Sequence, residues 1–315
     1  MGPLALVGFA SLWAGLGLAE VDSDFKNCKS FFYGGKKPEG FDTKKLNRVN
    51  ICQKYDNRYF FATYYDKSSR IPIWSAYTMN IGNCQERKPS DWMVEPQLSG
   101  SKEINMKRER ELTQDLTKSQ ATNADYERSG FDRGHLNPNC FQCGDGQTAT
   151  YTLTNAVPMD PCFNRVHWKE LELNLKKQLK DKCRDDWNPF LVTGAVPNAK
   201  YKIPQGNAGR VVVPSHIWTA VCCNHTDNNK KYSFAFLGEN RPGSTLESMK
   251  VTDLNNRLKS LYDNQLIKIF QDDCNEDNPE GTKILDNITK ELHSSFPNWD
   301  DKGPPGGKRP RCSVG

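Results

Sequence analysis

Short segments of alternating hydrophobic and polar residues run through most of this 315-residue chain. Two of them, residues 58–65 and 71–79, are rich in aromatic and β-branched side chains, and the polar break at 66–69 between them predicts a β-hairpin. The same composition predicts further strands over residues 148–157, 190–196, 210–213, 216–223 and 232–237. The chain therefore contains enough strands for a sizeable sheet.

Helical spacing of apolar residues marks three other segments. Leu171, Leu175 and Leu179 recur every four residues and predict a helix over 164–182. Helices are also predicted over 253–262 and 280–296. Because strands predominate without a regular strand–helix–strand alternation, the pattern predicts an α+β fold with an antiparallel central sheet and flanking helices.

Two stretches lack a clear period. Residues 25–55 mix glycine, proline, lysine and asparagine with short aromatic runs, which predicts an irregular segment held by a disulfide. Residues 85–130 are polar with few periodic apolar positions, which predicts long loops over the surface. Long loops in a compact domain are often functional.

Composition excludes some classes of protein without naming a function. Hydrophobic residues make up 36% of the chain, and 23 glycines and 18 prolines are too few for a collagen-like or low-complexity protein. The net charge of +5 is compatible with a polyanionic partner but does not require one.

The uncharged N-terminal residues 1–19 end in small residues at Gly17 and Ala19 and predict a secretory signal peptide that is removed after Ala19. An uncleaved anchor is the alternative, because 19 residues approach the length of a spanning helix. The expected organisation is a signal peptide, one domain over 20–300 and a flexible basic tail over 301–315. The mature protein is expected to be secreted, with no membrane span.

Eleven cysteines are scattered along the chain and, behind a signal peptide, predict disulfides. Their odd number leaves at least one thiol free or paired between chains. Cys140 and Cys143 form a C-x-x-C motif that suggests zinc or redox chemistry, but there is no second such motif, so a structural disulfide is favoured. Glycosylation sequons at Asn224 and Asn287 fit the same compartment.

Candidate chemistry is concentrated in residues 131–138, with the sequence FDRGHLNP. The His135 imidazole is suited to accept a proton near neutral pH, and the Arg133 guanidinium can hold a phosphate. A turn that carries a surface histidine is the alternative interpretation.

The predicted helix over 164–182 supports the first interpretation. At roughly 100° per residue, Asn164, Trp168 and Glu172 fall within about 80° of one another. Asn164 is then nearly in line with the apolar stripe. Either Asn164 caps the helix and Glu172 pairs with Lys176, or the two oxygen donors hold a hydrated Mg²⁺ ion.

These motifs resemble those of the DNA/RNA non-specific endonuclease family, whose active site is a ββα-metal motif. The residues that carry the resemblance are 132–135 (DRGH), 153–158 (LTNAVP), 163–165 (FNR), Trp168 and 171–172 (LE). The spacing of the DRGH tetrapeptide to Asn164 and Glu172 makes this set of motifs specific for the family.

The resemblance extends from about Cys28 to Cys274, and it also includes segments typical of the secreted vertebrate branch of the family. These segments are residues 71–77, 92–98, 192–197 and 213–220.

The resemblance implies a role for each matched residue. His135 would be the general base that deprotonates water. Asn164 would be the protein ligand of one Mg²⁺, with Mn²⁺ as a possible substitute, and Glu172 would hold a water of the ion's hydration shell. Asn155 would help to position the strand of His135.

The resemblance also implies that Arg133 and Arg87 contact the scissile or a neighbouring phosphate. The products would carry 5′-phosphate and 3′-hydroxyl ends.

His167 is expected to be structural or at the surface because it points about 60° away from Asn164 on the predicted helix. The same is expected of His216, His225 and His293, since none has an acidic or cysteine partner at ligand spacing.

The sequence thus predicts a secreted, Mg²⁺-dependent endonuclease that binds DNA, RNA or both through phosphate contacts and without sequence specificity. The alternative is a catalytically inactive extracellular binding or regulatory module on the same fold. An organellar relative is disfavoured, because residues 1–19 lack an arginine-rich amphipathic character.

Overall fold

The computed structural model describes residues 21–295 except for 23, 43–46, 81, 83, 85–90, 184–187, 207 and 264. The predicted signal peptide and tail, Arg87 and Cys312 lie outside the described residues. Within the part that is described, none of the helices has the length and apolar character needed to cross a membrane.

The elements follow one another along the chain as strands, short helices and three longer helices. They are β1 (Val21–Asp22), β2 (Arg48–Tyr55), β3 (Arg58–Asp66), β4 (Ile71–Thr78), β5 (Met93–Val94), β6 (Lys107–Arg108), α1 (Asn123–Tyr126), β7 (Asp132–His135), α2 (Asp145–Thr150), β8 (Ala156–Met159), a π-helix (Phe163–Trp168), α3 (Lys169–Lys182), β9 (Asn188–Ile203), β10 (Val211–Asn224), β11 (Tyr232–Glu239), β12 (Leu246–Met249), α4 (Val251–Leu261) and α5 (Pro279–Ser295).

Eight strands form an antiparallel sheet in the order β1-β2-β3-β4-β9-β10-β11-β12. Two small antiparallel sheets, β5-β6 and β7-β8, lie outside it. The α+β fold with a central antiparallel sheet is therefore confirmed.

Both faces of the large sheet are covered by other elements. Successive side chains of a strand point to opposite sides, so neighbouring residues enter different cores. In β9, Leu191 packs into one hydrophobic core with α3, α5 and the β7-β8 sheet. Its neighbour Val192 packs into a second core with α4 and the N-terminal segment that contains Phe25 and Phe32. The β7-β8 sheet thus lies on the α3 side of the large sheet.

The predicted hairpin is confirmed as β3 and β4, and the three predicted long helices are present within a few residues of their expected ends. The segments 210–213 and 216–223 form the single strand β10. Its register with β9 shifts on either side of Pro214.

Two predictions are wrong. Residues 148–157 are not a strand, since α2 extends to Thr150 and β8 begins only at Ala156; Thr150 Oγ1 instead donates to the Gln147 carbonyl at 2.7 Å in a helical turn. Residues 25–55 are not irregular throughout, because they end in β2. The polar Gln53 of β2 is buried, and its Nε2 donates to Thr63 and Thr154 side chains.

Disulfides join four pairs of cysteines among the described residues. The pairs are Cys28–Cys52, Cys84–Cys143, Cys183–Cys223 and Cys222–Cys274. The first of them ties the N-terminal segment to β2, as expected. Cys143 pairs with Cys84 and not with Cys140. The two cysteines of the C-x-x-C motif therefore do not form a disulfide with each other, and they do not form a metal site together.

Candidate active site

The DRGH tetrapeptide is strand β7, and the alternative prediction of a turn is wrong. It pairs with β8 so that Asp132 lies opposite Met159 and His135 opposite Ala156. Gly134 is required by this pairing, since a Cβ atom there would lie 2.4 Å from the Met159 sulfur. Alternation along the strand directs Arg133 and His135 to one side and Asp132 to the other.

His135 is held between two aromatic rings. Its ring centroid lies 4.7 Å from that of Trp92 and 4.9 Å from that of Tyr151, which meets the imidazole edge-on at 86°. The side chain is partly exposed, but its Nε2 atom is buried and has no hydrogen-bond partner among the described residues. Burial lowers the pKa of His135 to about 4. The imidazole is therefore neutral at pH 7, with a ring nitrogen that no described residue hydrogen-bonds.

Asn155 fixes the backbone that leaves β7. The Leu136 amide donates to the Asn155 carbonyl at 2.9 Å, and the Asn137 amide donates to Asn155 Oδ1 at 2.9 Å. Asn155 Nδ2 donates to the carbonyls of Asn137 and Thr150, both at 3.0 Å. A fully buried side chain with this set of bonds positions the segment directly after His135.

The helix that carries Asn164 begins earlier than predicted. Asp160 Oδ1 accepts from the Cys162 and Phe163 amides at 2.9 and 3.0 Å, so Asp160 satisfies the free amides of the first turn and Asn164 is not the cap. Residues Phe163–Trp168 wind as a π-helix. Because a π-helix has more residues per turn than an α-helix, the predicted alignment of Asn164 with Leu171 does not hold. Such π segments are frequent at functional sites.

The side chain of Asn164 is oriented by Asp132. Asn164 Nδ2 donates to Asp132 Oδ2 at 3.0 Å, and Arg165 binds the same carboxylate in a bidentate manner at 2.9 and 2.7 Å. The acceptor fixes which end of the amide is nitrogen. Asn164 Oδ1 is therefore the atom left to face a ligand.

Glu172 lies in α3 with a half-buried side chain. Burial raises its pKa to about 8, while the Trp168 indole and the charge of Lys169 favour the ionised form. The indole Nε1 is close, yet it makes no hydrogen bond of normal geometry. The predicted ion pair with Lys176 is not found among the described residues. The charge of Glu172 also contributes to the raised pKa of Tyr77. The Tyr77 hydroxyl donates to the Leu136 carbonyl at 3.3 Å.

The donor set fits a hard cation with few protein ligands. No group of three or more histidine, cysteine, aspartate or glutamate side chains that could enclose a metal occurs among the described residues. An amide oxygen and a carboxylate are, however, the ligands that Mg²⁺ prefers, and this ion keeps several waters. A nearby cation would also favour the ionised form of Glu172, against the effect of its burial.

Arg133 extends the site on the His135 side of β7. Its Nη2 donates to the Asn123 carbonyl at 3.1 Å, and its guanidinium lies over the Tyr126 ring at 5.3 Å from the centroid. The buried Nε has no hydrogen-bond partner among the described residues. A guanidinium has five N–H donors, so Arg133 retains capacity to bind an anion.

Sequence reasoning missed Trp92 and Tyr151 as neighbours of the general-base candidate, and it gave Asp132 no role. Trp92 precedes β5 and lies far from His135 in the chain, so no local spacing could connect them. The side chains of Trp168 and Trp218 are both buried.

A model of the DNA/RNA non-specific endonuclease family matches residues 43–265. The human endonuclease domain-containing 1 protein is 30% identical over 297 residues, which cover 91% of this chain and 56% of that protein. A nuclease of Nostoc sp. is 27% identical over 188 residues, 58% of either chain. A crystal structure of the EndoG/EndoGI complex contains a chain that superposes with a TM-score of 0.43 and 19% identity, covering 64% of this chain and 77% of that one. This chain thus spans little more than half of the human relative.

Proposed function

From the premise that the chain belongs to the DNA/RNA non-specific endonuclease family, we propose that it is a Mg²⁺-dependent endonuclease that hydrolyses phosphodiester bonds of DNA, RNA or both. The observation that carries the proposal is the state of His135. A neutral imidazole with an unoccupied ring nitrogen, held between two aromatic rings, is suited to take a proton from water.

In the proposed reaction, His135 accepts a proton from a water molecule as the water oxygen attacks phosphorus. The new P–O bond forms opposite the bond to the 3′ oxygen, and that bond breaks. The leaving oxygen takes a proton from solvent, which leaves a 5′-phosphate and a 3′-hydroxyl. Asn155 keeps the strand of His135 in place during this step.

Asn164 Oδ1 would hold Mg²⁺, and Glu172 would accept hydrogen bonds from water around the ion. The cation offsets negative charge on the phosphate oxygens in the transition state. Asp132 keeps the Asn164 amide in the orientation that this role requires. Arg133, and Arg87 outside the described residues, would bind the scissile or an adjacent phosphate.

Contacts to phosphate carry no information about base sequence, so cleavage of low specificity is expected. The alternative is a binding module on a nuclease fold that does not cleave. The presence of His135, Asn164 and Glu172 together favours the enzyme, because binding alone requires neither a general base nor an ion.

Cleavage of supercoiled plasmid and of RNA by the purified chain, with Mg²⁺ and with EDTA, tests the proposal. We expect cleavage of at least one substrate with Mg²⁺ and none with EDTA. No metal-dependent cleavage of either substrate would favour the binding module.

We also propose that the chain is secreted after removal of residues 1–19, consistent with its disulfides. Mass spectrometry of secreted protein should then find Glu20 as the first residue. Met1 retained in a membrane fraction would favour an anchor.

A further inference from the structure

Next to the candidate active site, a cavity of about 400 Å³ is lined by three arginines, a tryptophan, an asparagine and the two acidic side chains of Asp91 and Glu109. The arginines are Arg108, Arg110 and Arg133, and the tryptophan is Trp92. Two of these side chains connect the cavity to the proposed chemistry, since Arg133 is the expected phosphate ligand and Trp92 packs on the His135 ring at 4.7 Å. The cavity therefore begins where the scissile phosphate is expected to bind.

The fold builds this cavity from described residues between Asp91 and Arg133. Strands β5 and β6 pair Met93 with Arg108, which brings Trp92 alongside the arginines that surround the short turn after β6. Asp91 holds the two arginines together, with its Oδ2 atom 3.4 Å from both Arg108 Nε and Arg110 Nη2.

Stabilisation of the fold does not explain these ion pairs. The side chains of Asp91, Arg108 and Arg110 are 60%, 45% and 69% exposed. Exposed ion pairs contribute little to stability. Asp91 instead keeps two guanidinium groups close together at the cavity, and each retains further N–H donors.

We propose that this cavity binds the nucleotide next to the scissile phosphate in a single strand, with its base stacked on Trp92 and its phosphate on Arg108 and Arg110. The inference rests on the proposed nuclease function and specifies the form of its substrate. A base can stack on Trp92 only after it leaves the base stack of a duplex, so single strands are bound in preference to duplexes. The volume lies in the range of pockets that bind small molecules, which suits one nucleotide.

Binding can be measured apart from cleavage by fluorescence anisotropy of a labelled 12-nucleotide single strand in EDTA. The variant R108A/R110A should bind at least about tenfold more weakly than wild type. The slope of log K against log salt should be smaller by about 0.7, since the loss of one phosphate contact in a single strand removes about 0.7. Both side chains are exposed, so the variant is expected to fold.

The matched control is Arg257→Ala in α4, which removes an equally exposed arginine that is paired with Glu247. Helix α4 packs on the opposite side of the sheet. The control should retain the affinity and salt slope of the wild type.

Stacking is tested with a second strand in which all bases are replaced by abasic sites. Wild type should prefer the normal strand by about fivefold or more. Trp92→Leu should lose most of this preference, and Trp92→Phe should retain part of it. A duplex of the same sequence should bind the wild type more weakly than the single strand.

The possible failures are distinguishable. If wild type cleaves nucleic acid with Mg²⁺ but R108A/R110A binds like Arg257→Ala, the cavity is not a nucleotide site and the nuclease function stands. If the preference for bases persists in Trp92→Leu, the stacking role is wrong. If wild type neither binds nor cleaves any nucleic acid, both proposals fail.

Discussion

The Asp132 carboxylate accepts a hydrogen bond from the Asn164 amide at 3.0 Å and thereby joins the strand of His135 to the helix of the metal-ligand candidate. Asp132 and His135 are the two ends of one short strand. The general-base candidate and the metal-ligand candidate are thus positioned through a common element, although they come from separate parts of the chain.

The first prediction concerns the response to Mg²⁺. Asn164→Ala should raise the Mg²⁺ concentration that gives half-maximal cleavage, and part of the rate should return at high Mg²⁺. Asp132→Asn should have a similar effect of roughly 10- to 100-fold, because it removes the group that orients Asn164. Titration of each variant with Mg²⁺ measures this, and Asn255→Ala in α4 is the control. Unchanged half-maximal concentrations would exclude Asn164 as the ligand.

The second prediction concerns the pH dependence of cleavage. Since the pKa of His135 is lowered to about 4, the imidazole remains an acceptor well below pH 6.5. In saturating Mg²⁺, kcat/KM should decline on the acid side near pH 4 to 5. An acid limb centred at pH 6.5 would contradict this prediction, because it would mean that burial does not lower the pKa of His135.

The third prediction concerns stability without a metal. The pKa of Glu172 is raised to about 8 in the folded protein, so the stability linked to its bound proton is complete below about pH 4.5 and is lost as the pH rises through 8. Glu172→Gln remains neutral at every pH. In EDTA it should match wild type at pH 5 and exceed it at pH 8.5, by on the order of 2 kcal/mol of unfolding free energy. Urea unfolding at both pH values tests this, and an equal difference at both would contradict it.

The fourth prediction concerns Asn155. Asn155→Ala leaves the Ser75 hydroxyl, the Asn137 amide and two carbonyls without their partner, and should cost about 2–4 kcal/mol of unfolding free energy as well as slow cleavage. The control is Asn174→Ala, a buried asparagine whose bonds stay within α3. It should cost less and leave cleavage unchanged. Equal losses in the two variants would argue against a positioning role for Asn155.

Local patterns predicted those parts of the fold in which side-chain composition and environment agree. The hairpin of β3 and β4 is an example, because its aromatic and β-branched residues pack on both faces of the sheet. Strand β2 was not predicted, because it contains the polar Gln53. This side chain can be buried only because it hydrogen-bonds to side chains of other segments. The predicted strand at 148–157 failed for a related reason: the buried polar groups of Thr150 and Asn155 bond within the helical and turn segments.

Much of the candidate site was predictable because His135, Asn164 and Glu172 have recognisable types and spacing. Their surroundings were not, because Trp92 is brought to His135 by a long-range contact in which the Met93 amide donates to the Tyr151 carbonyl at 2.8 Å. Residues Phe163–Trp168 likewise form a π-helix, so the direction of Asn164 could not be predicted from a regular period of 3.6 residues.

His135 is proposed to act as a general base in hydrolysis and not in binding. This role is tested most directly by comparing wild type and His135→Ala on one labelled oligonucleotide, with binding measured in EDTA and cleavage started by Mg²⁺. The variant should bind with the affinity and salt slope of the wild type, while its cleavage rate falls by about 10²- to 10⁴-fold. Cleavage by His135→Ala at the rate of the wild type would show that His135 is not the general base.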